Sequence, residues 1–480
     1  MKTYFTLILL LAINAGFGQV TNVKPGNWSD PTVWSNNKIP TDTTNIILSY
    51  NIQVDISANC KSIKTNKFQV YVGTAINFYI AGLAAPVANF TFSGPTVVPT
   101  TITFTNTSTY ATSYLWDFGD TASGVNNTST ALNPTHFYKT LAPYPYSTLV
   151  KLIATGSGGK DSISRDLGLT CVPTIVEVGA SIDTPTTWDR CHIYHCSKFV
   201  GVNAPLTING ATVTFDAQKG MIVSGSGKIT AKGAIFTSSA TSKKRGDWAY
   251  ISFGTTSGNS IEGSAIQYAG YASLNQERAL NMGSGANNSI NRVVFEYNAG
   301  TLNQITAALD MSRCPISSTA TNNLFFANSG HPVLIGIATN FDNSNEFSFN
   351  DCDAIFVDCV HVTQASSISW TNKNAPFVLG GWSSNSWAFG SNKILTLGDS
   401  VVIKFARYTN PGFSIFLPSG ISQIQNFGGL GVVFTSYQDD TYLGDSNGDG
   451  APLVSPSLWE GVQVPGPLWV HWTNMFYSEH

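Results

Sequence analysis

The sequence predicts an all-β protein whose larger part is a stack of repeated strands. Three observations carry this. Charged residues make up only 11% of the 480, against roughly 25% in an average globular protein, and Asn, Ser, Thr and Gly supply the polarity instead. β-Branched and aromatic residues fall in short alternating runs broken by Asn, Gly and Ser, and no long window carries a helical period. The chain also repeats itself over a long interval. LTINGATVTF, AIFTSS and GDWAYISF, within Leu206–Phe253, return as LTLGDSVVIKF, VVFTSY and LWEGVQV, ending the second copy of Leu395–Val464. Phe236 answers to Phe434 and Trp248 to Trp459, and the second copy gains an acidic loop, DDTYLGDSNGDG. A long-period echo with a variable insertion marks a solenoid.

Residues 1–18 read as an export signal. Lys2 gives the positive end, Phe5–Ile13 the apolar run, and Gly16 and Gly18 the small residues before a cut ahead of Gln19. The run is too short to anchor in a bilayer, and no Cys near the cut offers a lipid attachment point. The expected location is therefore outside the cell, secreted or on the surface. Residues 19–84 form a small β segment in which Trp28 and Trp34 sit beside turn residues and Asn45–Leu48 alternates as a strand.

A new unit runs over 86–170. Its order is PVANF, TITFTNTS, YLWDFGD (Tyr114–Asp120), NPTHFY (Asn133–Tyr138) and STLVKLIATGSGGKDS. Trp116 is expected to be buried, and Gly119 to take a turn conformation closed to other residues. Asp117 and Asp120 are expected to tie backbone amides in that turn.

The array occupies 171–480. Its pieces include SIEGSAIQYAG, NNSINRVVFEYNAG, TNNLFFANSGHPVLI and SNEFSFNDCDAIFV. Each has an apolar alternation, an aromatic, then Asn or Gly. Trp188 answers to Trp370, and both lead into an LT-I/L strand. One such piece cannot bury its apolar face alone, but a stack can. Asn at the coil corners is expected to stack in ladders.

On WDFGD and NPTHFY, 86–170 resembles the PKD domain, an immunoglobulin-like β-sandwich. On GDWAYISF, AIQYAG, FTSYQDD and GDSNGDG, the chain from Trp188 onward resembles exported bacterial right-handed parallel β-helix proteins. The segment before them resembles the strand cap of such proteins, with Trp28 and Trp34 packed on the first coil. The PKD resemblance implies a spacer or a binding module for protein or polysaccharide. The β-helix resemblance implies no particular reaction, because that fold hosts many activities.

Net charge is −3 and there is no basic tract, so nucleic acid is excluded as a partner. The densest basic spot, KKRG at Lys243–Gly246, reads as a solvated turn. Seven Cys are present, and Cys191/Cys196 and Cys352/Cys359 either pair or serve as small buried residues. In CHIYHC a strand puts His192 and Cys196 on one face and Cys191 and His195 on the other, which splits a zinc set.

Two acidic clusters carry the candidate chemistry. Asp445, Asn447 and Asp449 alternate as calcium ligands do, with Gly450 at the turn, and Asp439, Asp440 or Glu460 could complete the shell. The twelfth position is Pro456, so this is not an EF-hand. The loop is either a structural calcium site or a set of Asx turns. Asp351, Asp353 and Asp358, with His361 beyond, form the second cluster. In a strand Asp351 and Asp353 face one way, as the paired carboxylates of a glycoside hydrolase do. Arg313, Lys404 and Arg407 are isolated cations that could serve a lyase as base. The supporting motifs of such enzymes are missing; SGHPV at Ser329–Val333 is the nearest. The sequence favours a non-enzymatic protein that binds polysaccharide or another surface component, with a polysaccharide lyase or glycosidase as the alternative. At the C-terminus, either the last strand caps the stack or the reading frame continues past His480.

Overall fold

A computed structural model describes residues 5–6, 19–80, 84–141, 147–271, 278–300, 306–337, 339–358, 367–380, 386–388, 393–406, 414–447, 459–466 and 468–478. Among the described residues there is no α-helix, and the fold is all-β with several large parallel sheets. The chain divides into two compact units, Met1–Ala142 with Tyr146–Cys171, and Pro143–Pro145 with Val172–His480.

The first unit begins with short parallel strands. Gln19–Thr21, Asn45–Ile47 and Ser62–Lys64 form one sheet. Gly26–Asn27, Ile52–Val54 and Val70–Val72 lie side by side in another. Their alternate apolar residues, Ile46, Ile63, Ile52, Val54 and Val70, are buried with Trp28 and Trp34. The two indoles meet edge-on at 4.9 Å, and Trp34 Nε1 donates to the Trp28 carbonyl at 3.0 Å.

Two antiparallel sheets follow. Phe90–Ser93, Thr100–Asn106 and Thr135–Tyr138 make the first; Thr128–Ser129, Ser113–Asp117, Leu149–Gly156 and Gly159–Asp166 make the second. Trp116 is fully buried, 5.1 Å from the Phe90 ring and 5.4 Å from Phe104. Gly119 has φ 67°, and a Cβ there would lie 2.6 Å from the Leu149 carbonyl oxygen, so only glycine fits. Asp117 Oδ1 accepts from the Gly119 amide at 3.0 Å, as expected of a turn aspartate. Asp120 departs from the expectation. Its carboxylate meets His136 Nε2 at 3.0 Å rather than a turn amide.

The second unit is solenoid-like. Up to about residue 326 successive strands visit three sheets in turn, and each sheet is rejoined three strands later by a parallel neighbour; between 324 and 379 the interval among the described strands shortens to two. The eight-stranded sheet runs from Thr174–Glu177 to Glu346–Ser348, the eleven-stranded from Ser181–Ile182 to Val433–Ser436, and the six-stranded from Thr186–Asp189 to Thr319–Thr321. In the eleven-stranded sheet Ile251, Leu280, Leu309, Val333, Ile355, Phe377, Ile403 and Phe434 are in register, and all are buried in one core.

The internal repeat is expressed as a repeated ring stack. Trp248 lies on Phe215 at 4.3 Å, and Trp459 lies on Phe405 at 3.9 Å. Trp188 on Tyr194 at 4.4 Å matches Trp370 on Phe377 at 4.7 Å. The copies nevertheless occupy different sheets. Phe236 belongs to the eight-stranded sheet and Phe434 to the eleven-stranded one. The eight-stranded sheet ends at Glu346–Ser348, and a new sheet begins at Ser386–Ala388, so the second copy is advanced by one face. At the far end Leu468–Val470 turns back antiparallel on Gly461–Val464, and Asn474 Nδ2 donates to the carbonyls of Phe427 and Val432.

The cysteines differ from expectation. Cys171 and Cys191 are disulfide-bonded, whereas Cys196 is a free buried thiol, so Cys191 and Cys196 are not a pair. Cys352 is also free and buried; Cys359 lies outside the described residues. Both thiols are buried, and burial raises the pKa of each, so both stay protonated.

Asparagine ladders hold the corners. Asn298 Nδ2 donates to Asn328 Oδ1 at 2.9 Å, Asn328 Nδ2 to Asn350 Oδ1 at 2.8 Å, and Asn350 Nδ2 to Asp353 Oδ1 at 2.6 Å. Each of the first two also donates to a core-strand carbonyl, Ile266 or Phe295, at 2.9 Å. Removing one amide orphans buried partners above and below it, at about 1–3 kcal/mol. Asn328→Ala is therefore expected to lower stability by about 2 kcal/mol in equilibrium denaturation, and unchanged stability would remove the ladder from the account.

Candidate functional site

An aromatic row, half-buried at Tyr268 and Phe326 and exposed at Tyr297 and Phe349, runs along one corner of the second unit. Strands Ala265–Gln267, Val294–Glu296, Leu324–Phe326 and Glu346–Ser348 are neighbours in the eight-stranded sheet. Tyr268, Tyr297 and Phe349 follow directly after three of them. Each sits at the corner with positive φ, 63°, 54° and 58°. This is the left-handed region, which costs a bulky side chain roughly 1–2 kcal/mol and which Asn or Gly fills at less cost. In the remaining coil Ala327 takes the corner at φ 52°, and Phe326 supplies the ring from one residue earlier. Successive centroids are 5.6, 5.9 and 5.5 Å apart. Tyr268 and Tyr297 lie parallel at 9°, and Phe326 is turned 87° to Tyr297. Phe349 is 79% exposed and Tyr297 36%.

The Lys243–Gly246 loop lies beside this row. Lys243 Nζ stands 5.8 Å from the Tyr268 ring and donates to Thr237 Oγ1 at 3.1 Å. Arg245 reaches Asp351 at 3.3 Å, one coil past Phe326. Gly246 packs on the corner itself: a Cβ there would lie 3.1 Å from Ala299. The sequence signal for the row was the aromatic that ends each coil piece. Its outward direction was not legible, because strand alternation stops at the corner.

The acidic trio is not brought together. Asp351 and Asp353 are in a bend ahead of the strand Ile355–Asp358, not in a strand, so the expected shared face does not exist. Cys352 is buried between them, its Sγ against the Gly330 carbonyl. Asp351 is exposed and pairs with Arg245. Asp353 ends the asparagine ladder, and burial raises its pKa against the pull of Asn350. Asp358 is buried in the eleven-stranded sheet, in register with Gly336. Among the isolated cations Arg313 is exposed in a turn. His361 and Arg407 lie outside the described residues.

The acidic loop is organised around a lysine. Lys404 projects from the outward column of the eleven-stranded sheet, in register with Val378 and Thr435, and is fully buried. Its ammonium donates to the Gly444 carbonyl at 2.8 Å. Burial pulls its pKa from 10.5 down to about 8, while Asp440, Asp439 and Asp445 hold it up. Asp439 is itself buried, accepting from Thr435 Oγ1 at 2.5 Å and from the Thr441 amide at 3.0 Å. Asp445 Oδ1 accepts from the Asn447 amide at 3.1 Å, an Asx turn. Asp449 lies outside the described residues. Among the described residues no group of three His, Cys, Asp or Glu could hold a metal ion.

The same outward face holds other buried polar groups. Arg278 Nε meets Asp310 Oδ2 at 2.7 Å. His331 stacks on Phe356 at 3.6 Å, and burial pushes its pKa down to about 4. With Leu334, Phe356 and Val378 between them, this is an interior face rather than an open groove. No helix among the described residues is long and apolar enough to cross a membrane. No family model matches the chain, and no curated protein matches it significantly.

Lys404 sets a pH dependence with a definite sign. Between about pH 8 and 10.5 the unfolded lysine holds a proton that the folded one has lost, so stability rises with pH across that window. The full difference corresponds to about 3 kcal/mol. Lys404→Met is expected to flatten the rise, read by urea denaturation at pH 7, 8.5 and 10. A wild-type stability that falls through that window faster than the Met variant's would contradict the burial of the charged amine.

Proposed function

We propose that the chain is a non-enzymatic, secreted or surface-displayed right-handed parallel β-helix protein that binds polysaccharide, with a PKD-type β-sandwich as spacer or accessory binding module. The observation that carries the reading is the aromatic row Tyr268, Tyr297, Phe326 and Phe349. Aromatic rings offer apolar faces to the C–H surfaces of sugar rings, and Tyr adds a hydroxyl. The near-uniform spacing suits a polymer with a regular repeat. Placing Phe349 in left-handed backbone is a cost that packing does not repay, since its side chain is 79% exposed. Outward strain of this kind is most readily explained by a ligand.

The three-sheet alternation supports the β-helix reading, and the buried Trp116 between two antiparallel sheets supports the PKD reading. The disulfide-bonded Cys171 and Cys191 support an oxidising compartment, as does the signal-like sequence at 1–18. The lyase or glycosidase alternative has weaker support. Asp351, Asp353 and Asp358 have separate environments, and Lys404 has no exposed surface for a substrate. Calcium at Asp439, Asp440, Asp445, Asn447 and Asp449 would have to share its acids with the Lys404 ammonium, so we favour lysine as the cation of that loop.

The test is affinity electrophoresis against a panel of neutral and acidic polysaccharides. Retardation by at least one polymer is expected, and Tyr297→Ala with Phe349→Ala is expected to weaken it about tenfold. Equal retardation of the double variant, or none by any polymer, would reject the row as the binding face. Release of unsaturated product from any polymer would restore the lyase alternative.

A further inference from the structure

A cavity of about 670 Å³ opens in the first unit, between the 3-10 segment Thr121–Asn127 and the strand Thr135–Tyr138. It belongs to a different region from the aromatic row and does not depend on that reading. Its size falls in the ordinary range for small-molecule sites. Its floor is a rigid acceptor. His136 is only 5% exposed, stacked on Phe118 at 4.4 Å and edge-on to Tyr138 at 4.6 Å. The imidazole holds Asp120 through Oδ2 at 3.0 Å. No donor among the described residues bonds Asp120 Oδ1. The Asp120 backbone is fixed as well, by Asn127 Oδ1 at 2.6 Å on its amide and by Ser123 Oγ at 2.7 Å on its carbonyl.

The remaining lining is hydroxyl-rich and nearly neutral. Ser123, Ser129 and Thr135 present hydroxyls, Asn126 an amide, and Lys139 one positive charge against the one carboxylate. A single carboxylate is too few anionic ligands for a calcium ion, which takes six to eight oxygens. Balanced charge offers no preference for an anion. A fixed carboxylate oxygen, an amide and several hydroxyls beside an aromatic wall match a ligand with vicinal hydroxyls and apolar C–H faces.

We propose that this cavity is a saccharide-binding subsite that takes one or two neutral sugar residues through Asp120, Asn126, Ser123 and Ser129. Asp120 Oδ1 accepts a sugar hydroxyl, and the Asn126 amide bonds its neighbour. His136 acts as a positioning residue that fixes the carboxylate.

The test uses the whole chain carrying Tyr297→Ala and Phe349→Ala, so that the aromatic row cannot contribute. Glucose, galactose, N-acetylglucosamine and their β-linked tetrasaccharides are titrated by calorimetry. Saturable binding of at least one probe is expected. Ser129→Phe, which fills the cavity, should abolish it, and Asn126→Ala, at an exposed position, should weaken it about tenfold. Circular dichroism checks that each variant folds. No saturable binding by any probe, or binding unchanged in both cavity variants, overturns the subsite. Polysaccharide retardation by the unaltered row is read separately, so either site can fail alone.

Discussion

Every rung of the second unit depends on the rung beside it. A strand of three to five residues buries too little to fold by itself, and its backbone groups need partners on both sides. Parallel stacking solves both problems at once. It places Leu309 between Leu280 and Val333, then Ile355, Phe377, Ile403 and Phe434 in one unbroken inward column. Each buried side chain is worth roughly 1.5–3 kcal/mol, but only while its neighbours exclude water. The same logic explains why charge is scarce. Charged side chains on neighbouring rungs lie close together, and some are paired across rungs, as Arg292 and Lys232 are around Glu262.

Corners are the weak points of such a stack, since the chain must turn there and the ladder is interrupted. Asparagine answers this with an amide that donates down the column and accepts from above, and Asp353 closes one such column with an acceptor alone. The neighbouring corner position demands left-handed backbone. Asn322 and Asn287 meet the same demand elsewhere at φ 56° and 57° with a residue suited to it. Tyr268, Tyr297 and Phe349 fill it with bulky rings instead, as Arg292 does with a long cation at φ 55° in the coil beside Asn322.

How much was legible follows from the range of each interaction. Composition and alternation gave the all-β class because they are local. The long repeat was legible because the Phe215–Trp248 stack needs two aromatics at fixed places, and Phe405–Trp459 needs the same two. The one-face advance between the copies was hidden, because it arises from where strands between 337 and 386 leave the eight-stranded sheet, which no motif marks. Asp351 and Asp353 look like strand residues because DCDA alternates polar with small apolar residues just ahead of the apolar run Ile355–Val357, yet Asn350 bonds Asp353 across a bend. Cys191 and Cys196 are neighbours in sequence, but Tyr194 and Cys196 turn into the core.

The acidic loop joins these two levels. Its spacing of Asp and Asn is what a divalent ion would ask for, and sequence alone can weigh only the ligands. The fold adds a competitor from forty residues away, since Lys404 is carried to the loop by register with Thr435 and bonds Gly444. An ammonium already enclosed by Asp439, Asp440 and Asp445 supplies the charge balance that calcium would supply elsewhere. It does so at the cost of burying an amine, visible in the fall of its pKa to about 8. A buried lysine among carboxylates stays protonated near neutral pH only if those carboxylates stay charged. Local order in the loop and the protonation of Lys404 are therefore one equilibrium.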